Sequence, residues 1–153
     1  PITIEWIRSF KKNSVFYDVG ANIGMYSIFA GYVSGVKVYS FEPESNNFQI
    51  LMENILANNL GSKVNPYPIG ISNLSGLTTL YLSKFEKRCS HHVVGESLDH
   101  NLKKKSKLKQ GIFSSTLDDL NKMWKLPKPN YLKIDVDGIE YKIIAKSHNL
   151  LRS

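Results

Sequence analysis

The stretch Asp18-Val19-Gly20-Ala21-Asn22-Ile23-Gly24 constrains this chain more than any other. It follows a β-rich run at 14–18 (SVFYD) and precedes a helical pattern at 24–34 that carries Ile28, Phe29, Tyr32 and Val33. A strand that passes into a helix through such a loop needs residues that tolerate positive φ and let a ligand approach the backbone. Gly20 and Gly24 do so directly, and Asn22 is among the few non-glycine residues that visit that region readily. The helix that follows aims its N-terminus at the crevice beyond the strand, where open α/β sheets bind ligands. Glycines also occur in plain turns, so the loop alone is compatible with a binding loop or a simple connection.

The remaining pattern alternates strands with helices. Residues 2–10 suggest a short helix with Ile4, Ile7 and Phe10 on one face, and 36–41 (VKVYSF) a strand ended by Glu42-Pro43. Residues 45–59 form the strongest helical pattern, with Phe48, Leu51, Met52, Ile55 and Leu56 on one stripe, Ser45 as N-cap and Gly61 as stop. Strands are expected at 64–71, 77–82 and 131–136. A short helix runs from a capping pair, Thr116 and Asp119, to Trp124, and a last helix covers 139–151 with Ile139, Ile143, Ile144 and Ser147 on one side. Such alternation predicts an α/β fold with a mostly parallel sheet covered by helices on both faces. Residues 84–114 lack a period and are read as an insertion or flexible loop within a single domain, 1–153.

Charge adds one local feature. The net charge is +7, but Lys103, Lys104, Lys105, Lys107 and Lys109 supply five positive charges, and +7 less five leaves +2. The run reads as a solvated loop or as a contact for an anionic partner. It contains no aromatic residue for base stacking, so nucleic acid is not the expected partner. The single cysteine, Cys89, excludes an intramolecular disulfide framework. No run of 18 apolar residues exists to span a membrane, and no signal peptide is visible, so the cytoplasm is the expected compartment.

Two acidic features accompany the glycine loop. Glu42 ends the second strand 22 residues after Gly20. A carboxylate there can accept both hydroxyls of a ribose, or can simply be a solvated strand terminus. Asp135-Val136-Asp137-Gly138-Ile139-Glu140 sets three carboxylates where a strand turns into a helix. Their repulsion must be answered by solvent, a cation or a polar ligand. Capping by Asp137 and a dipole contact from Glu140 would explain part of the cluster but not all of it. Cys89, His91 and His92 do not amount to a four-ligand metal site, and no metal is expected.

A dinucleotide fingerprint G-x-G-x-x-G started at Gly20 would place glycines where Asn22 and Met25 stand. The spacing G-x-N-x-G instead resembles the first motif of S-adenosylmethionine-dependent methyltransferases. The ordered set FYDVGANIGMYS, VYSFEPES, IGISNLSG, SSTLDDL and YLKIDVDGIE, from Val15 to Leu151, resembles the FkbM-type methyltransferase family. Asp137 stands where that family more often has glutamate. The resemblance implies a Rossmann-like class I methyltransferase fold, S-adenosyl-L-methionine as cofactor, and O-methylation of a sugar or other small metabolite. It implies that Asp18, Gly20, Ala21, Asn22 and Gly24 line the methionine end of the cofactor, and that Glu42, with Pro43, holds the ribose. Gly70-Ile71-Ser72-Asn73 would approach the adenine, and Asp135 would face the transferred methyl.

A sulfonium methyl is already activated, so catalysis is chiefly alignment, with a base assisting an alcohol nucleophile. Asp135, Asp137 and Glu140 are the candidate bases, and His91, His92, His100 and His148 are weaker ones. The alternatives are an NAD-type oxidoreductase on the same topology and a non-catalytic cofactor-binding domain. The chain begins at Pro1 and ends just after a helix. By resemblance, three more strands would follow, so a C-terminally truncated domain with an open edge at its fourth parallel strand is expected.

Overall fold

The computed structural model describes residues 2–82, 92–94, 108–136 and 138–151, with backbone alone for 92–94. Two sheets organise the chain. The first is fully parallel, in the order β3-β2-β1-β8, with β1 at Val15–Val19, β2 at Lys37–Phe41, β3 at Val64–Tyr67 and β8 at Tyr131–Ile134. The second has the order β4-β7-β5-β6, formed by Gly70–Ile71, Leu108–Ser115, Gly76–Leu82 and His92–Val94.

Alternation along β1 divides the core. Phe16, with Val38 of β2, packs under α1 (Ile2–Arg8), α2 (Met25–Val33) and α3 (Ser45–Ala57), beside Ile7, Ala30, Leu51 and Ile55. Tyr17, Val19 and Phe41 face the opposite side, against Leu117 and Leu120 of α4 (Leu117–Lys122), Ile139, and Ile143 of α5 (Glu140–Ala145). Full burial of side chains such as Phe16, Leu51 and Ile143 contributes roughly 1.5–3 kcal/mol each. This is the expected α/β architecture, with helices on both faces of a mostly parallel sheet.

Several boundaries differ from the sequence reading for identifiable reasons. The strand expected at 64–71 is two strands in different sheets, β3 and β4, separated by Pro68 and Ile69. Helix α3 is capped by Glu44, not Ser45. The Glu44 carboxylate accepts the N–H groups of Asn46 and Asn47 at 3.0 and 2.7 Å. That helix ends at Ala57, and Asn59 takes the left-handed conformation that Gly61 was expected to supply. The last helix is broken into α5 and α6 (His148–Leu151) around Ser147, whose hydroxyl donates back to the Ile143 carbonyl at 2.6 Å. Thr116 caps α4 as expected, accepting the Asp119 N–H.

Residues 108–114, read as part of an insertion or loop, belong to β7, which pairs antiparallel with β5 from Gly76↔Ser114 to Leu82↔Leu108. The other lysines of the basic run, Lys103 to Lys107, lie outside the described residues. Among the described residues β8 pairs only with β1, and no helix is long and apolar enough to cross a membrane.

Candidate active site

The chain runs β1 to β2 to β3 in one direction and returns to place β8 on the other side of β1. That reversal opens a crevice beyond the carboxyl ends of β1 and β8. Gly20, Asn22 and Gly24 all adopt positive φ there, at 73°, 52° and 89°. Gly20 is obligatory for a second reason: a Cβ would lie 2.0 Å from the Asp135 carbonyl oxygen. A Cβ at Gly24 would meet the Leu51 side chain at 2.4 Å.

The loop's N–H groups are committed to the protein. Those of Gly20 and Ala21 donate to the Phe41 carbonyl, that of Asn22 to Glu42, that of Ile23 to the Asn22 side chain, and that of Gly24 to the Ala21 carbonyl. Five consecutive donors are therefore unavailable to a pyrophosphate, which a dinucleotide-binding loop would cradle.

Glu42 is buried at the end of β2, its two oxygens accepting the N–H of Asn22 at 2.7 Å and of Glu44 at 2.9 Å. Burial pushes its carboxyl up to about 7. The two backbone N–H groups oppose that shift, while the charges of Glu44 and Asp18 reinforce it. Each carboxylate oxygen keeps acceptor capacity for a ligand hydroxyl.

Gly20, Asn22, Glu42, Pro43 and Asp135 line one cavity, as do Gly70 and Ile71 from the segment expected beside adenine. Ser72 and Asn73 do not line it. The Ser72 hydroxyl is engaged with Ser114 at 2.7 Å and with the Leu74 backbone. Ala21 and Gly24 shape the loop without lining the cavity. Glu140 begins α5, half-buried and off the cavity wall, and Asp137 lies outside the described residues, as do Cys89, His91 and His100.

Asp18, expected to line the methionine end, is fully buried beneath the loop. One oxygen accepts the Ser27 hydroxyl at 2.6 Å and the other meets the Lys133 ammonium at 3.0 Å. Its acceptors face the interior because position 18 shares the sheet face of Phe16, beneath α2.

Sequence reasoning missed Lys133, although it lies across from Asp18 in the β1–β8 register and two residues before Asp135, hence on the same sheet face. That pairing was the available signal. Asn47, Val136 and Ile139 also line the cavity, and so does Leu80 of the second sheet, which no local pattern could have indicated.

A family model for the methyltransferase FkbM domain matches residues 18–153. The chain belongs to the FkbM methyltransferase family. This FkbM domain is 28% identical over 147 residues to the hexuronic acid methyltransferase AglP of Haloferax volcanii, covering 96% of the chain and 55% of that protein. The domain thus spans about half the length of that curated relative. Among solved structures it resembles a precorrin-6Y C5,15-methyltransferase from Geobacter metallireducens, with a TM-score of 0.55 and 12% identity, over 97% of this chain and 53% of that one. At that identity the likeness supports the class I methyltransferase fold alone.

Proposed function

We propose that this FkbM domain binds S-adenosyl-L-methionine and serves an O-methyltransferase acting on a sugar or other small metabolite. The observation that carries the reading is the chemistry of the cavity wall, acidic and without cationic side chains among the described residues. Its only ionisable lining side chains among the described residues are two carboxylates, Glu42 and Asp135. Among the described residues no lysine or arginine lines it to meet a pyrophosphate, and the loop's N–H groups are already committed. A cationic, phosphate-free cofactor suits that surface better than NAD does.

The residues present fit the group. Phe41, Ile71, Leu80, Val136 and Ile139 offer apolar walls for a purine. Glu42, on the cavity wall beside Pro43, would hold ribose hydroxyls. Gly20 and Asn22 bring backbone close to the ligand, while Ala21 and Gly24 fix the loop. Asp135, its side chain 71% exposed, would present its carboxylate to the reacting end. When bound, S-adenosylmethionine supplies an electrophilic methyl on a sulfonium. The protein's part is to align an acceptor hydroxyl and accept its proton. Asp135, Asp137 and Glu140 are the proposed proton acceptors, and Asp135 is the one seen on the cavity wall. The sugar acceptor is supported by the name of the Haloferax volcanii relative, a hexuronic acid methyltransferase.

Calorimetric titration of the purified protein with S-adenosylmethionine, S-adenosylhomocysteine and NAD tests the cofactor. Binding of the first two is expected, and tight NAD binding with no response to either would overturn the reading. Transfer of labelled methyl to a panel of hexuronates and neutral hexoses tests the acceptor class. Modification of nucleic acid alone would overturn the sugar assignment.

A further inference from the structure

Lys133 occupies an unusual position. Its ammonium lies 3.0 Å from Asp18 and 3.3 Å from Asp135, and its side chain is only 10% exposed. The Tyr26 ring covers it, with the nitrogen 5.2 Å from the ring centroid. Asp18 is in turn fixed by the Ser27 hydroxyl, which also lies 2.7 Å from the Ser40 hydroxyl. A buried polar network thus runs from β2 through α2 and β1 to β8, and it ends at Asp135 on the cavity wall.

The two carboxylates differ in what they need. Asp18 is fully buried, so its pairing with Lys133 offsets the cost of desolvating a carboxylate. Asp135 is largely exposed and has water to solvate it. Among the described residues Lys133 is the side chain that holds the Asp135 carboxylate. A freely rotating aspartate at that place would sample several rotamers, few of which aim at the reacting centre.

We infer that Lys133 is a positioning residue: anchored by Asp18 and Tyr26, it fixes the carboxylate of Asp135 toward the cavity, so that Asp18 serves the site through Lys133 without contacting cofactor. This rests on the S-adenosylmethionine reading. It also explains why the acidic residue that opens the glycine loop is buried. The triad carries two negative charges and one positive, so a sulfonium beside the oriented Asp135 gains an attraction that the uncharged thioether product lacks.

The test compares stability, ligand affinity and turnover in four proteins. Lys133→Met alone would strand Asp18 as an unpaired buried charge, so it is made together with Asp18→Asn, removing both charges at once. The Asp18→Asn/Lys133→Met protein is expected to unfold cooperatively and to keep a far-UV spectrum like that of the wild type. Its affinity for S-adenosylmethionine relative to S-adenosylhomocysteine should fall roughly tenfold, and kcat by roughly a hundredfold, with little change in acceptor KM. Adding Asp135→Asn to that pair should cost less than about twofold more, because the two changes act through one group. Lys133→Arg keeps a cation for Asp18 while moving the donors that reach Asp135. It should retain wild-type stability yet lose about tenfold in kcat, which keeps the question answerable if the double variant does not fold. Wild-type turnover and ligand preference in either the double variant or Lys133→Arg would make Lys133 a mere counter-ion of Asp18 and overturn the inference alone. A wild-type protein that binds neither S-adenosyl ligand would overturn the functional reading and this inference with it.

Discussion

The loop at the end of β1 and the sheet β4-β7-β5-β6 wall the same cavity, yet they are built by opposite means. The loop's conformation is set mostly by local means: three positive-φ residues, and N–H groups satisfied by the loop itself or by the end of β2. The second sheet depends on distant pairs, Gly76 with Ser114 and Leu82 with Leu108, and on a single contribution to the cavity from its central strands, Leu80. Local turn chemistry positions ligand-binding backbone, whereas long-range pairing, with its loop-closure cost, supplies a wall. Changes in the first region should therefore act on geometry at once, and changes in the second on shape and docking.

Glycine substitution gives the largest contrast. Gly20→Ala must adopt a left-handed conformation and place a methyl 2.0 Å from the Asp135 carbonyl oxygen, which belongs to backbone and cannot rotate away. Destabilisation on the order of 3–5 kcal/mol is expected, with loss of S-adenosylmethionine binding. Gly111→Ala, in β7, meets nothing within 4 Å and should change stability by less than about 1 kcal/mol. Urea unfolding of both variants checks this, and equal losses would erase the distinction between the regions.

Glu42 sharpens it through pH. Its carboxyl rises in the folded state from 4.5 to about 7, mainly because burial disfavours the charge. The folded protein therefore holds that proton more tightly than the unfolded chain. The associated stability is fully present below about pH 4.5 and is lost as pH rises through about 7. Under the proposed ribose contact, affinity should run the other way, since hydroxyls would donate to the ionised form. Between pH 6 and 8, S-adenosylmethionine should bind more tightly while the free protein loses about 1 kcal/mol of stability, part of a loss on the order of 3 kcal/mol between pH 4.5 and the range above 7. Glu42→Gln should remove both trends relative to wild type. Parallel pH profiles for the two proteins would sink the ribose assignment.

How much was legible in the sequence follows the same division. The strand, loop and helix from Val15 to Val33, and the stop at Glu42-Pro43, could be read because their signals lie within a few residues. The strand β7 could not, because its partner lies across a long segment and its first half is mostly exposed and carries no alternating apolar pattern. The burial of Asp18 was not legible for a related reason: it depends on Ser27 and Lys133, brought to it by folding. The α3 cap was off by one residue, since serine is the commoner cap and only the backbone path shows Glu44 in that role. Glu44→Ala should accordingly cost about 1–2 kcal/mol. Ser45→Ala should stay within about 0.5 kcal/mol. A reversed order in thermal or urea unfolding would restore the original reading.

The last variant probes the contact between the two regions. Gln110 of β7 donates its Nε2 to the Pro43 carbonyl at 2.7 Å and accepts the Ser45 N–H at 3.2 Å, tying the second sheet to the segment that carries Glu42. Gln110→Ala deletes both bonds from a half-buried position and should cost about 1 kcal/mol of stability. The informative readout is ligand affinity. If the sheet only walls the cavity, S-adenosylmethionine should bind as before, because Glu42 keeps its own N–H donors from Asn22 and Glu44. If the glutamine helps hold the Pro43 turn, affinity should fall by about threefold to tenfold with little change in kcat. The second outcome is expected, because Gln110 bonds backbone on both sides of Glu44 and so fixes the path by which β2 enters α3. A protein that loses stability but not affinity would show that the long-range sheet contributes shape alone, leaving the binding geometry entirely to the local loops.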